Sequence, residues 1–285
     1  MRQVALGRRL SSLGFETAVW GASCDAYIGG AVRAADWRSA VAHSRMVILP
    51  MPVSLDGSHI NGTAFAAHEL STASLFGEIS GGTVVVGGKF NDSIKCFAKD
   101  KNILLYDCLE NETFQIRNAV PTAEGALGIA IREMPITVSG SRVLVCGYGR
   151  IGKVLSALFK NAGADVAVSA RRDDDIAYAS VFGNCAVRYG SAEFVSALTK
   201  ADAVFNTVPA VILDKTYIDC LDKCCLIVDL ASGKGGVDFD AAEKRGIKTF
   251  HALSLPGKVA PVTAGNIICD CILDILLREG VITKT

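Results

Sequence analysis

From Arg142 onward, short apolar runs alternate with longer stretches whose apolar residues recur every three or four positions. The runs are "RVLVCG", "DVAVSA", "NCAVRYG", "AVFNTVP", "CLIVDLA" and "KTFHAL". Between them lie stretches such as "GKVLSALFKNAGA" and "SAEFVSALTKA", whose spacing is helical. Strands that are continuously apolar, rather than alternating, belong to a parallel sheet covered on both faces. The pattern from about residue 137 to 255 therefore predicts a doubly wound α/β domain.

The first 118 residues carry a looser alternation of the same kind. "ETAVWG", "RMVILPMP", "TVVVGG" and "NILLYD" predict strands, and "DWRSAVAHS" and "NDSIKCFAKD" predict helices between them. A second, smaller, doubly wound α/β domain is expected here. A long helix over "ENETFQIRNAVPTAEGALGIAIREM" is expected to bridge the two domains. The tail "AGNIICDCILDILLREG" is amphipathic at helical period, with Ile268, Cys271, Ile272 and Ile275 on one face, and is expected to cross back to the first domain.

Composition narrows the function classes. Half of the 285 residues are hydrophobic and the formal net charge is zero, which argues against a general nucleic-acid or membrane-surface role. No apolar run approaches the ~20 residues of a spanning helix, and "MRQVALGRRLSSLGFE" lacks the apolar core of a secretory signal. A cytoplasmic enzyme is the default expectation. The ten cysteines are scattered, without paired CxxC clusters or histidine partners, and predict reduced, buried thiols and no metal site.

"VLVCGYGRIGK" carries the clearest chemistry. Gly147, Gly149 and Gly152 form G-x-G-x-x-G directly after a predicted strand and at a helix start. The first glycine makes a tight turn, the second lets backbone approach a pyrophosphate, and the third lets helix pack on strand. The helix N-terminus, beginning at Arg150 and Ile151, then faces the phosphates. The following strand ends at Ser169 and Ala170, where an NAD site would place a carboxylate; Arg171 and Arg172 come next instead. A guanidinium fork suits a 2′-phosphate, so NADP is favoured over NAD. Asp173, Asp174 and Asp175 are expected to begin the next helix. Loops after the fourth and fifth strands supply Asn206, Thr207, Pro209, Ala231 and Ser232 as expected further cofactor contacts, at the strand ends where ligands bind in this fold. The domains expected are 1–118, an N-terminal substrate-side α/β domain; 119–258, a Rossmann domain with its bridging helix; and 259–285, a returning helix.

The catalytic groups are less defined. His43, His59, His68 and His251 follow no triad or metal pattern, and no serine nucleophile elbow is present. "LSLPGKVAPVTAG" after the last strand is expected to be a loop carrying Lys258, with no histidine to relay an alcohol proton. His251 reads as a core or strand-end residue.

Taken together, "LPMPVSLDG", "NAVPTAEGAL", "GYGRIGKVLS", "SARRDDDIAYA", "NTVPAVIL", "DLASGKGGVDFDAA" and "LPGKVAPVTAG" resemble the A subunits of dipicolinate synthases over nearly the whole chain. The Rossmann half alone also resembles adenosylhomocysteinase and D-hydroxy-acid dehydrogenases. The resemblance implies oxidation of a dihydrodipicolinate, formed from 4-hydroxy-tetrahydrodipicolinate in a branch of the lysine pathway, to pyridine-2,6-dicarboxylate. It implies NADP as acceptor, partnership with a flavoprotein-like B subunit, and a sporulation role in the mother cell. Members of the family begin with a further strand and a glycine-rich turn before "RQVALGRRL", so the first strand of the N-terminal domain is expected to be missing here.

That chemistry needs cations for a dicarboxylate and an acceptor for a proton. Lys258, Arg117, Lys89 and Lys234, with Thr122, are the candidates for substrate binding. Glu124 is the candidate base or ring N–H partner, and Glu124 and Lys258 are the two catalytic candidates. The alternative for each charged group is a solvated surface charge, or for Glu124 a helix-start carboxylate. A homo-oligomer is compatible with the sequence. Two other function classes stay open: another NAD(P)-dependent dehydrogenase of hydroxy-acid dehydrogenase architecture, and a non-catalytic NADP-sensing module.

Overall fold

A helix, α1 (Arg2–Ser12), opens the chain, with Ala5, Leu6 and Leu10 buried at helical spacing. Two short parallel strands follow, β1 (Ala18–Val19) and β2 (Val32–Arg33). The computed structural model describes residues 1–23, 25–62, 70–280 and 282; Cys24 and His68 lie outside the described residues. Helix α2 (Trp37–Val41) is closed by a capping box between Asp36 and Ser39. A three-stranded parallel sheet is then built from β3 (Met46–Ile48), β4 (Val84–Gly87) and β5 (Leu104–Asp107), in that order, with β4 buried along its length. Helices α3 (Thr72–Glu78) and α4 (Asp92–Asp100) connect these strands; Ser71 and Asn91 cap their N-termini through side-chain oxygens.

Helix α5 (Glu112–Glu133) carries the chain from one compact unit into the next. The first unit comprises Met1–Arg117 and Pro261–Thr285, the second Asn118–Ala260. Close to that boundary α5 contains Pro121, which has no N–H to give to the preceding turn. The Thr122 hydroxyl donates to the Asn118 carbonyl at 2.8 Å, returning one hydrogen bond to this turn.

The second unit is a six-stranded parallel sheet of β6 (Arg142–Cys146), β7 (Asp165–Ala170), β8 (Cys185–Arg188), β9 (Ala203–Asn206), β10 (Leu226–Asp229) and β11 (Lys248–His251). Its order is β11-β10-β9-β6-β7-β8, so the topological switch lies between β6 and β9. Alternate residues of β6 serve opposite layers. Val143 and Val145 pack with Ala126 and Ala130 of α5, with Leu155 and Phe159 of α6 (Arg150–Asn161) and with Ala179 of α7 (Asp173–Val181). Leu144 and Cys146 pack with Phe194 and Leu198 of α8 (Ala192–Lys200), Ile218 of α9 (Lys215–Ile218) and Ala242 of α10 (Phe239–Arg245). This two-sided burial is why the central strands read as continuous apolar runs.

Beyond β11 the structure departs from the sequence expectation. "LPGKV" is not a loop but a short helix, α11 (Leu255–Val259), with Ser254 as N-cap at φ +61° and Pro256 in its first turn. Pro261 likewise opens the last helix, α12 (Pro261–Arg278). Proline's fixed φ and missing N–H suit a first helical turn, so these prolines start helices rather than stiffen a loop. The pattern also does not predict α1, β2, α3 or α9.

Helix α12 packs on α1 within the first unit, burying Ile268, Cys271, Ile272 and Ile275 against Leu6 and Leu10. At Gly265 a Cβ would lie 2.7 Å from the Arg2 carbonyl oxygen and 2.9 Å from the Ala5 Cβ, so only glycine permits this approach. Asp270 of α12 accepts from Arg9 at 2.6 Å and from Arg117 at 3.0 Å. The Cys271 and Cys108 thiols touch at 3.4 Å, and all nine described cysteines are free.

In the second unit, Asp202 ties the start of β6 to the turn before β9. It accepts from the Arg142 N–H at 2.7 Å and from the guanidinium at 2.7 and 3.2 Å. The Arg142 guanidinium holds the Asp202 carboxyl below the usual carboxylate range. A depressed folded value stabilises above the unfolded value, near pH 4, and the benefit is lost as pH falls through the folded value. Asp202→Asn is therefore expected to lower the thermal unfolding midpoint at pH 7. The gap to wild type should close as the pH is lowered from the unfolded carboxylate value, about 4, through the lower folded value; scanning calorimetry across pH checks this.

Candidate functional site

The carboxyl edge of the second sheet, at the switch between β6 and β9, gathers most residues that the sequence assigns to a nucleotide. Gly147 follows β6 with φ +98°, and its N–H donates to the Ser169 carbonyl at 2.8 Å. A Cβ at this position would overlap the Thr207 hydroxyl. Thr207 donates to the Cys146 carbonyl through both its N–H and its hydroxyl, each at 2.9 Å. At Gly152 a Cβ would overlap the Gly147 carbonyl oxygen, which fixes α6 tightly on the turn. At Gly149 a Cβ would meet nothing within 4 Å. Gly149 is the N-cap of α6 and no side chain caps this end. Two of the three glycines are thus demanded by packing, while the one expected to face a ligand borders open space. Such an uncapped N-terminus beneath an open glycine is the cradle a pyrophosphate fits.

Under the turn the environment is dry. Ser169 is buried, and burial pushes the Cys146 thiol up to about 12. Arg150 is exposed at the start of α6, and Ile151 is half-buried behind it.

The two loops after β9 and β10 are held by a network that the sequence does not predict. Asp229, with no exposure, accepts from the Asn206 amide at 2.9 Å, the Ala231 N–H at 2.9 Å and the Gly236 N–H at 2.7 Å. The Asn206 amide also donates to the Val208 carbonyl, and its oxygen accepts from the Val208 N–H at 2.9 Å. The Asn206 side chain is therefore spent inside the protein and shapes its loop instead of projecting from it. Gly235, at φ +78°, lies against the Asp229 carboxylate, where a side chain would collide. His251 donates from Nε2 to the Ala231 carbonyl at 3.1 Å, and its exposed ring ends β11. Thr207 is half-buried, Ala231 buried, and Pro209 and Ser232 are exposed. An Asp closing one strand and a Gly-Gly pair ending seven residues on are the signals of this network in "DLASGKGG".

The arginine segment leaves β7 at the same edge. Arg172 is the N-cap of α7, and Asp173, Asp174 and Asp175 fill its first turn, as expected. Arg172 pairs with Asp174 at 3.1 Å and with Asp175 at 3.9 Å. The exposed Arg171 guanidinium has no ion pair among the described residues. Arg188, which the sequence pattern does not single out, closes β8, donates to the Arg171 carbonyl at 3.1 Å and pairs with Asp173.

The remaining candidates are dispersed. Lys89 and Arg117 belong to the first unit; Thr122, Glu124, Lys234 and Lys258 belong to the second. Arg117 pairs with Asp270 at 3.0 Å, and the Thr122 hydroxyl donates to the Asn118 carbonyl. The Lys89 N–H, at φ +61°, donates to Asp107 at 2.6 Å and leaves its side chain exposed. Glu124 is exposed on α5, Lys234 on the loop after β10 and Lys258 in the last turn of α11. Leu255 of α11 packs on Gly125 of α5, where a Cβ would sit 3.1 Å from the leucine Cβ, so the helices bearing Glu124 and Lys258 are in contact.

Known proteins share this architecture. Residues 1–109 match the family model for the N-terminal domain of the dipicolinate synthase A subunit. The dipicolinate synthase A subunit of Bacillus subtilis (strain 168) is 37% identical over 194 residues, 68% of this chain. The corresponding crystal structure from Bacillus halodurans superposes with a TM-score of 0.84 at 29% identity, over 96% of this chain and 94% of that one. The chain belongs to the dipicolinate synthase A-subunit family. The B. subtilis dipicolinate synthase A chain has the same TM-score, 0.84, at 28% identity, over 98% of this chain and 94% of its own. The sequence match spans 63% of the length of the curated B. subtilis relative. The structural matches, over 96% and 98% of this chain, take in residues of both units.

The glycines make separable predictions. Gly152→Ala is expected to destabilise the second unit by about 2 kcal/mol or more, through overlap with the Gly147 carbonyl. Gly149→Ala is expected to cost less than about 1 kcal/mol, as an N-cap change only. Thermal or urea unfolding of the two variants against wild type measures the difference.

Proposed function

We propose that this chain serves a dipicolinate synthase as its NADP-dependent oxidoreductase component, converting a dihydrodipicolinate, formed from 4-hydroxy-tetrahydrodipicolinate, to pyridine-2,6-dicarboxylate. The observation that carries the reading is the open Gly149 at the uncapped start of α6, in a chain of this family. When bound, the nicotinamide supplies a hydride acceptor. The chain's own residues do the rest. The turn from Gly147 to Gly152, with Arg150 and Ile151, receives the pyrophosphate on backbone N–H groups. Arg171 and Arg172 meet the 2′-phosphate, which favours NADP over NAD. Thr207, Pro209, Ala231 and Ser232 wall the nicotinamide end, on loops that Asn206 and Asp229 hold in place.

The substrate ring loses a hydride to the acceptor and a proton to a base, and aromatisation supplies the driving force. No alcohol proton moves in this step, so it needs no histidine relay. Lys258 and Lys234 are proposed to pair with substrate carboxylates as compact charges. Glu124, on the helix that packs against α11, is proposed as proton acceptor. A flavoprotein-like B subunit is the proposed partner, and provision of dipicolinate during sporulation the proposed role.

The test is to incubate the full chain with freshly generated 4-hydroxy-tetrahydrodipicolinate and NADP, with and without a flavoprotein-like partner. Rising dipicolinate absorbance with stoichiometric NADPH is expected. Tight NADPH binding without turnover in either mixture would instead identify a nucleotide-sensing module. Lys258→Met is expected to lower kcat/KM by roughly 10- to 1000-fold while NADPH affinity stays at the wild-type value. Steady-state kinetics with separate cofactor titrations decide between carboxylate recognition, a cofactor contact and a bystander charge.

A further inference from the structure

The end of β7 is where a Rossmann site reads the adenosine ribose. In this chain the position is apolar: Ala170 is buried and is the register partner of Arg188 on β8. The neighbouring strand therefore brings a guanidinium beside the place where an NAD-type carboxylate would stand. Arg188 is also latched there, since it donates to the Arg171 carbonyl at 3.1 Å, and the Tyr189 N–H donates to the Ala170 carbonyl at 2.9 Å. Three arginines thus stand at this edge, Arg171 and Arg172 just after β7 and Arg188 at the end of β8.

Three carboxylates converge with them, from Asp173, Asp174 and Asp175 on the first turn of α7. Arg188 is held by Asp173, and Arg172 by Asp174 and Asp175. The cluster is formally neutral. A phosphate dianion arriving here finds no net excess of positive charge: Arg171 carries no ion pair among the described residues, but Arg172 and Arg188 must be taken from the aspartates that hold them. The Arg188–Asp173 pair is weakly held because both side chains are largely exposed, at 52% and 83%. A bidentate contact to a dianion is the stronger partner for the same fork.

We propose that Arg188 is a cofactor-specificity residue, a third guanidinium for the 2′-phosphate, and that Asp173 competes with the phosphate for it. The inference rests on the NADP reading above but does not follow from it, because Arg171 and Arg172 alone suffice for that reading. It has an unusual consequence: neutralising an acidic residue should sharpen the preference for the phosphorylated cofactor.

The experiment titrates the full chain with NADPH and with NADH by nicotinamide fluorescence, for wild type, Arg188→Gln, Asp173→Asn and the Arg171→Ala/Arg172→Ala pair. Arg188→Gln is expected to weaken NADPH about 10-fold and NADH less than 2-fold. Asp173→Asn is expected to tighten NADPH about 3-fold and leave NADH unchanged. An unaltered NADPH-to-NADH ratio in Arg188→Gln, or an equal loss for both, overturns the proposal. Where that variant does not fold, Asp173→Asn decides: a raised ratio supports the proposal, and an unchanged or lowered ratio overturns it. If the arginine pair loses the preference while Arg188→Gln keeps it, Arg188 is excluded and the NADP reading stands. If wild type shows no preference, or the pair does not alter it, the NADP reading falls and this inference falls with it.

Discussion

A carboxylate with no access to water organises the carboxyl edge of the second sheet. Taking such a charge out of water costs several kcal/mol unless donors replace the lost hydration. Asp229 receives three N–H groups, from Asn206, Ala231 and Gly236, and so closes the loop after β10 onto the end of β9. Asn206 in turn fixes Val208, and Thr207 between them hangs from the Cys146 carbonyl. The Thr207 hydroxyl fills the space that glycine leaves at position 147, and the Gly147 carbonyl fills the space that glycine leaves at position 152. One connected chain of contacts therefore runs from a buried aspartate to the start of α6. Removing the Asp229 carboxylate would orphan the Ala231 and Gly236 N–H groups and leave the Asn206 amide only the Val208 carbonyl, which makes this network a constraint on the edge and not a decoration of it.

That chain also explains which parts of the protein are legible in its sequence. Strand and helix identities in the second unit follow from local periodicity, and the glycine turn follows from spacing within six residues. Both are short-range signals. Asn206 and Asp229 are 23 residues apart, and their pairing depends on β9 and β10 being neighbours, which no local pattern states. Local pattern alone consequently points Asn206 outward, to a ligand, whereas its amide is satisfied inward. The partner of Arg117 is equally hidden from local pattern, since Asp270 lies on α12. Arg188 escapes notice in the sequence because it stands beside Ala170 only across a strand pair.

The proline segment departs from expectation for a different reason. Pro256 and Pro261 are loop formers by frequency, but each lacks only an N–H that a first helical turn does not use. Leu255, buried against Gly125, anchors α11 and converts the segment from a connection into a packed element. Tertiary packing, not propensity, decides a helix of five residues. Lys258 thereby sits in the last turn of a packed helix beside α5, which sets its backbone while its side chain stays exposed.

The two halves of the proposed nucleotide site differ in kind. The glycine turn offers backbone groups set by buried, mutually dependent contacts, and a pyrophosphate common to both nicotinamide cofactors would engage it equally. The arginine cluster is exposed, formally neutral, and built from ion pairs that water and salt weaken. In the proposed site, affinity would rest on what cannot change without damage to the sheet edge, and cofactor preference on exposed residues. Arg171, Arg172, Arg188 and Asp173 touch no buried network, so their exchange alters the charge presented at the end of β7 without moving Gly147, Asn206 or Asp229. If the proposed site holds, such exchanges would alter cofactor preference without unsettling the fold.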